Sequence, residues 1–230
     1  MEKETYYHGS GIHFQKFDLS HALDGAGKVK FGYPTKSRFS VAAAIREHYT
    51  EYWQRGIQSY PACQCAPFSK VAGEWGIFSN FAPTPLVVDG VAYKNSEQLF
   101  QCQKFTDEEA IRDILSANGM KIKMKAKKWE KICRRPDWGS MIVDAMKSAL
   151  AAKYEQSEEF RKALADSNGL YIVEDQTSFP KMSADTWGAK LIGDRYVGPN
   201  LLGQLLMELR DNEMKMVIKP AEVESLKLNR

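Results

Sequence analysis

Several features that would classify the chain quickly are scarce or missing. Its 230 residues hold four cysteines, Cys63, Cys65, Cys102 and Cys133. Cys63 and Cys65 form a C-x-C with no second C-x-x-C or His pair nearby, so the ligand spacing of a zinc site is lacking and no metal is expected. Four reduced thiols of a cytoplasmic protein are the expectation instead. No apolar run approaches the ~20 residues of a membrane helix. The opening MEKETYYHGS is charged and aromatic, unlike a signal peptide. These absences point to a soluble, cytoplasmic protein with no membrane partner. An excess of one charge is lacking too: 32 Lys and Arg face 29 Asp and Glu, a formal charge of +3. Any anion-binding surface is therefore local. There is no internal repeat and no low-complexity tract. What is present is enough apolar matter for a core: 43% hydrophobic and 11% aromatic residues exclude wholesale disorder.

Residues 1–67 differ from the remainder. An aromatic opening from Tyr6 to Phe17 leads to a glycine-spaced stretch (Gly25, Gly27, Gly32), then to a helix expected over roughly 40–55. PACQCAP follows, where Pro61 and Pro67 interrupt regular structure. The division expected is an N-terminal extension over 1–67, an α+β, mostly helical domain over 68–212 with a small β-hairpin or sheet, and a tail over 213–230. Within the domain, Asp89-Gly90 between Leu86–Val88 and Val91–Tyr93 is a two-residue hairpin signal. A helix is expected from Asn95 or Ser96 to about Phe105. Another should begin at Thr106, with Glu109 completing a capping box and Gly119 as the stop. Helices over about 140–154 and 157–165, a short strand over 170–173 and a last helix that starts after Pro199-Asn200 and runs to Arg210 complete the pattern. In that last helix Leu202, Leu205, Leu206 and Leu209 form the buried side. Residues 176–199 are expected to be a long loop, and such loops in compact domains are often functional.

Three places carry candidate chemistry. In SEQLFQCQKF, Glu97, Gln101 and Lys104 fall at i, i+4 and i+7, so on one helix they share a face. With both sides of the helix covered, a carboxylate, an amide and an ammonium converge in a pocket; uncovered, the same residues make a solvated face with one charge pair. In Asp185-Thr186-Trp187-Gly188 a Trp beside a Gly can offer a flat surface to a base, and Asp185 can orient a hydroxyl or a water. A Trp plugging the core and an Asp capping a turn is the competing arrangement. In Trp75–Phe81 the phenylalanines flank Ser79-Asn80, whose amide can hold a ribose hydroxyl or a base edge, or simply staple a turn. Residues 121–135 add six lysines (121, 123, 125, 127, 128 and 131), Arg134 and Arg135, with Trp129 and Trp138 nearby. Clustered cations bind phosphates and bases stack on aromatic rings, although a solvated face also explains such a run.

GEWGIFSNFAPTPLVVDG, YKNSEQLFQCQKF, AMKSALAAKYEQ, DTWG and GPNLLGQLLMELR occur in this order across residues 68–211. Together they resemble the NADAR-domain family, also called YbiA-like N-glycosidases. That resemblance implies an α+β, mostly helical fold and hydrolysis of N-ribosyl bonds. Two substrate classes are associated with the family. One is ADP-ribose attached to guanine in nucleic acid, the product of a DarT-type ADP-ribosyltransferase toxin, with which a functional pairing is expected. The other is the small phosphoribosylamino-pyrimidine intermediates of riboflavin synthesis. A non-catalytic ADP-ribose reader would use the same pocket without turnover. The N-terminal stretch YYHGSGIHFQKFD faintly resembles the opening of an ADP-ribosyltransferase fold.

Carried over position by position, the motif glutamate is Glu97, the motif lysine Lys104, and the loop acid and tryptophan Asp185 and Trp187. Glu97, Lys104 and Asp185 are the expected catalytic residues, and no cofactor is called for. Breaking an N-ribosyl bond builds positive charge on the anomeric carbon, which Glu97 would stabilise while Asp185 partners it or anchors the ribose. Lys104 either neutralises a phosphate or attacks the anomeric carbon to form an imine. Substrate contacts are expected from Ser79, Asn80, Phe81, Gln101, Trp138, Trp187 and Asn200. Gln98 departs from the His common in the family, and the segment after Trp187 is longer than usual.

Overall fold

A computed structural model describes residues 39–212 and Met214. The ADP-ribosyltransferase-like opening and the tail over 213–230, Met214 apart, lie outside the described residues.

Side-chain caps start half of the helices that frame the structure. Ser40, Asn95, Asp107 and Ser157 each accept a hydrogen bond from an amide three residues on, a contribution of about 1 kcal/mol per helix. The helix expected over 40–55 is two: α1 (Val41–His48) and α2 (Thr50–Arg55), broken at Tyr49. Tyr49 leaves helical geometry while its hydroxyl donates to the carbonyl of Ser140, 2.6 Å away. α3 (Ser96–Cys102) is shorter than expected. α4 (Glu108–Leu115) is capped by Asp107 rather than by a Thr106–Glu109 box, because the Asp107 carboxylate reaches the Ala110 amide at 2.8 Å. α4 also ends before Gly119. The lysine-rich stretch is a helix, α5 (Lys121–Cys133), followed by α6 (Trp138–Gln156), α7 (Glu158–Asp166) and α8 (Leu201–Arg210).

α6 is the axis of the core. Its buried Ile142, Val143, Met146, Ala149 and Leu150 face in several directions, and α1, α3, α7 and α8 all pack on it. A second apolar cluster joins α3, α4 and α5 through Cys102, Ile114, Ile122 and Ala126, with Phe105 from the turn after α3. α8 buries Leu202, Leu205 and Leu206 as expected, with Leu209 half-buried.

The strands are short. β3 (Leu86–Val88) and β4 (Val91–Tyr93) form the expected hairpin, with Asp89 and Gly90 both at positive φ, as a two-residue loop of this twist requires. β1 (Gln58–Pro61) lies antiparallel to β7 (Arg195–Gly198), which pairs on its other side with β6 (Lys190–Ile192). β2 (Cys65–Phe68) runs parallel to β5 (Tyr171–Glu174). Two expectations change here. The stretch over 176–199 is not a continuous loop: its second half is the β6–β7 hairpin, turned at Gly193-Asp194. The boundary expected after residue 67 falls inside β2, and residues 40–67 are built into the same body as the residues that follow. Tyr52 and Arg55 of α2 both bond to Glu208 of α8. Among the described residues no helix is long and apolar enough to cross a membrane.

Candidate functional site

The first turn of α3 is fixed from outside the helix. The carbonyl of Asn80 accepts the Glu97 amide at 2.9 Å, and the Ser96 hydroxyl donates to the Asn80 side-chain oxygen at 3.0 Å. Beneath this joint the fully buried Lys153 donates to the carbonyls of Ile77 (2.6 Å) and Ser79 (2.9 Å). Burial pushes the Lys153 ammonium down to about 7 from its usual 10.5. The turn from Gly76 to Asn80 is therefore a bracket that aims Glu97.

Glu97 is only 3% exposed. One of its oxygens receives the Gln101 amide at 2.7 Å and lies 3.6 Å from the Lys123 ammonium, which comes from α5. The i, i+4 pair expected from the sequence thus forms. Lys104 does not complete it. α3 ends at Cys102, so Lys104 sits past the last turn and pairs with Glu130 of α5 at 2.5 Å. Two ion pairs of opposite sense consequently join the α3 segment to α5. Lys104 remains beside the site's aromatic wall, 5.7 Å from the ring centres of both Phe100 and Trp138.

The opposite wall comes from the end of β5 and the loop after it. Asn200, left-handed at the head of α8, takes the Glu174 amide on its side-chain oxygen (3.1 Å) and donates to the Ile172 carbonyl (2.9 Å). α8 can come this close only because residue 203 is glycine: a Cβ there would lie 2.2 Å from the Ile172 oxygen. Glu174 is thereby held at the strand's end. The Gln176 amide group donates to Glu174 (3.2 Å) and to Asp185 (2.7 Å), while its oxygen accepts the Asp185 backbone N–H. Gly188 leaves room for this glutamine, since a Cβ would meet its side chain at 2.7 Å. Burial, and next the Asp185 carboxylate, push the Glu174 carboxyl up to about 7; Lys123 and the Gln176 hydrogen bond oppose the rise, and Glu97 adds to it. Glu97, Lys123, Glu174, Gln176 and Asp185 therefore form one electrostatic unit.

The expected residues divide accordingly. Glu97 and Asp185 belong to this unit, and Gln101 is hydrogen-bonded to it through Glu97. Trp187 stands at its edge, its ring 5.9 Å from that of Phe100 in an edge-on arrangement. Lys123 lies 5.1 Å over the ring of Phe81, and Ser79 supports the backbone of the bracket, accepting the Phe81 amide. Trp138 is 1% exposed and packs against Phe100, so its faces support the aromatic wall rather than line an opening. Asn80 and Asn200 are buried, with their amides engaged within the protein. Gln98, the departure from the family pattern, points to the far side of α3 and donates to carbonyls at the end of α4. It therefore packs helices together and touches none of the unit. Sequence reasoning missed Glu130, Glu174 and Gln176, and had Lys123 only as one of a run of six lysines. A glutamate ending an apolar strand and a glutamine two residues later were the available signal. Among the described residues no group of His, Cys, Asp and Glu is placed to hold a metal ion.

Chemically, a carboxylate beside an ammonium faces a second carboxyl group that keeps its proton near neutral pH. Such a pair can stabilise a cation at one atom and protonate a leaving group at another.

The family model for the NADAR domain matches residues 67–213. N-glycosidase YbiA of Escherichia coli is 34% identical over 144 residues, covering 63% of this chain and 85% of that protein. Its solution structure matches with a TM-score of 0.53 at 33% identity, covering 65% of this chain and 84% of that one. A riboflavin biosynthesis protein of Vibrio vulnificus, VVA0006, is 27% identical over 142 residues, but the match takes in only 35% of its length.

Proposed function

Since the chain belongs to the NADAR domain family and is a hydrolase of N-glycosidic bonds, we propose that its substrate is ADP-ribose joined to guanine in nucleic acid. The reaction would undo the modification made by a DarT-type ADP-ribosyltransferase. The observation that carries the hydrolytic reading is the coupling of Glu97, held by Gln101 and Lys123, to Glu174 and Asp185, which share Gln176. In this scheme the Glu97 carboxylate stabilises positive charge on the anomeric carbon as the bond to the base nitrogen breaks. The Glu174 carboxyl gives its proton to the departing nitrogen. Water adds to the anomeric carbon and returns a proton to Glu174. Asp185 holds a ribose hydroxyl, and Trp187 with Phe100 borders the base. The Lys123 ammonium, half-exposed at the carboxylate, suits the pyrophosphate of ADP-ribose better than a neutral sugar.

A second reading has its own support. Relatives named riboflavin biosynthesis proteins share this region in Vibrio vulnificus and Zea mays, which favours a phosphoribosylamino-pyrimidine as substrate. A side-by-side turnover assay on both substrates separates the two, with Glu97→Gln as control. The expected result is free ADP-ribose and unmodified guanine, reduced by about two to four orders of magnitude in the control. Release from the pyrimidine alone would move the substrate to the second class. Binding without release from either would make the protein a reader.

A further inference from the structure

One feature of the sequence is only partly absorbed by the site. Six of the chain's 32 cationic residues, and one of its 29 acidic ones, fall within the thirteen residues of α5. Without this helix the net charge of +3 would become negative. The cations are not spread evenly around it. Ile122 and Ala126 are buried and Trp129 and Cys133 half-buried against α3 and α4, which fixes the inner face. Lys125 is turned to Asp113 of α4 on one flank. Lys123 and Glu130 are turned to the site on the other.

Between the site flank and the outer crest runs a row at i, i+4 and i+8: Lys123, Lys127 and Lys131, all exposed. Its length is about 12 Å at 1.5 Å per residue. One strand of nucleic acid in a duplex carries a phosphate about every 3.4 Å, so three or so phosphates lie within the reach of this row. Its first member is the lysine 3.6 Å from Glu97, so the row starts at the candidate site and leads away from it.

We propose that the row Lys123–Lys127–Lys131 is a track for the phosphate backbone of the nucleic-acid strand that carries the modified base. The inference rests on the substrate reading above and adds to it the surface on which the unmodified part of the strand lies. A small phosphoribosyl-pyrimidine would need only Lys123. A strand uses all three lysines, and the residues that tell the two apart are Lys127 and Lys131. Exposed Met120 and Met124 flank the crest, and with the lysines they would also suit an anionic lipid surface. The strand is favoured because the row opens on the ribosyl-bond site itself.

The test uses the full chain and the variant Lys127→Gln/Lys131→Gln, which leaves Lys123 and the site intact. Binding of a fluorescein-labelled twelve-nucleotide oligothymidylate is measured against salt. Three neutralised phosphates give a slope of log affinity on log salt of about −2 in the wild type, and loss of two lysines about −0.7 in the variant. On ADP-ribosylated guanosine the two proteins turn over equally, whereas on an ADP-ribosylated oligonucleotide the variant loses tenfold or more in kcat/KM at low salt. Absence of oligothymidylate binding, equal slopes in both proteins, or binding to phosphatidylserine vesicles in its place would overturn the track. Expected slopes without hydrolysis of either guanine substrate would leave the track standing and remove the substrate reading beneath it.

Discussion

Glu174 and Asp185 receive hydrogen bonds from the same nitrogen: Gln176 Nε2 is 3.2 Å from one and 2.7 Å from the other. Each acid is thus fixed through the glutamine that separates them. Gln176→Met is expected to strand the Asp185 amide and loosen both carboxyl groups. The lost bonds cost about 1–3 kcal/mol of stability, but kcat should fall far more than the melting temperature implies. Circular dichroism beside steady-state kinetics checks this; proportionate losses in both would reduce Gln176 to a loop staple.

Glu174 gives the site a pH dependence of known sign. Its folded carboxyl titrates at about 7, above the usual 4.5. If its proton serves the leaving nitrogen, kcat/KM falls as pH rises through about 7, and Glu174→Gln removes that limb along with most of the rate. Stability follows the same group. Between pH 4.5 and 7 the folded protein holds a proton that the unfolded chain has released, so wild-type stability declines over that window. Glu174→Gln should lack this decline and be the more stable protein at pH 8. Urea titrations at pH 5 and 8 measure it.

Lys153 has the opposite linkage. Its ammonium is pushed down to about 7, so between pH 7 and 10.5 the unfolded chain binds the extra proton and stability rises with pH. Lys153→Met should abolish that rise and leave the Ile77 and Ser79 carbonyls without their donor, at about 1–3 kcal/mol each. Because this bracket aims Glu97, turnover of the folded variant should also drop. A variant with intact kcat would show that the turn holds its shape alone.

Lys104 is ion-paired with Glu130. With water as the attacking group, borohydride added during turnover is expected to leave the Lys104 peptide unlabelled, read by mass spectrometry, while turnover runs to completion. A reduced ribosyl adduct on that peptide, absent in Lys104→Arg, would show that the lysine attacks the anomeric carbon instead.

Much of this architecture was legible because its causes are local. Asp89-Gly90 dictates a two-residue hairpin, Asn95 caps the helix after it, and Glu97 with Gln101 follows from helical spacing. Failure came where distant segments decide. Lys104 shares the face of Glu97 on an uninterrupted helix, but α3 stops at Cys102 and a residue 26 positions later, Glu130, takes the ammonium. Asn80 and Asn200 look like free amides in the sequence, yet both are used to anchor Glu97 and Glu174. Glu174 itself is an ordinary strand-end acid until Asn200, Gln176 and Asp185 surround it. The Gly193-Asp194 turn was readable by the same rule as Asp89-Gly90, but the glycine- and serine-rich residues before it disguised the hairpin as loop.

The antiparallel pairing of β1 with β7 has a practical result. Tyr60 on β1 packs with Val173 and Tyr196, one residue from Glu174, yet β1 precedes the family match at residue 67. Excising the chain at that boundary would strip one side of β7, leaving a bare strand margin prone to self-association. The trimmed protein would also lose the tyrosine that packs on Val173, next along the strand to the acid it is meant to keep.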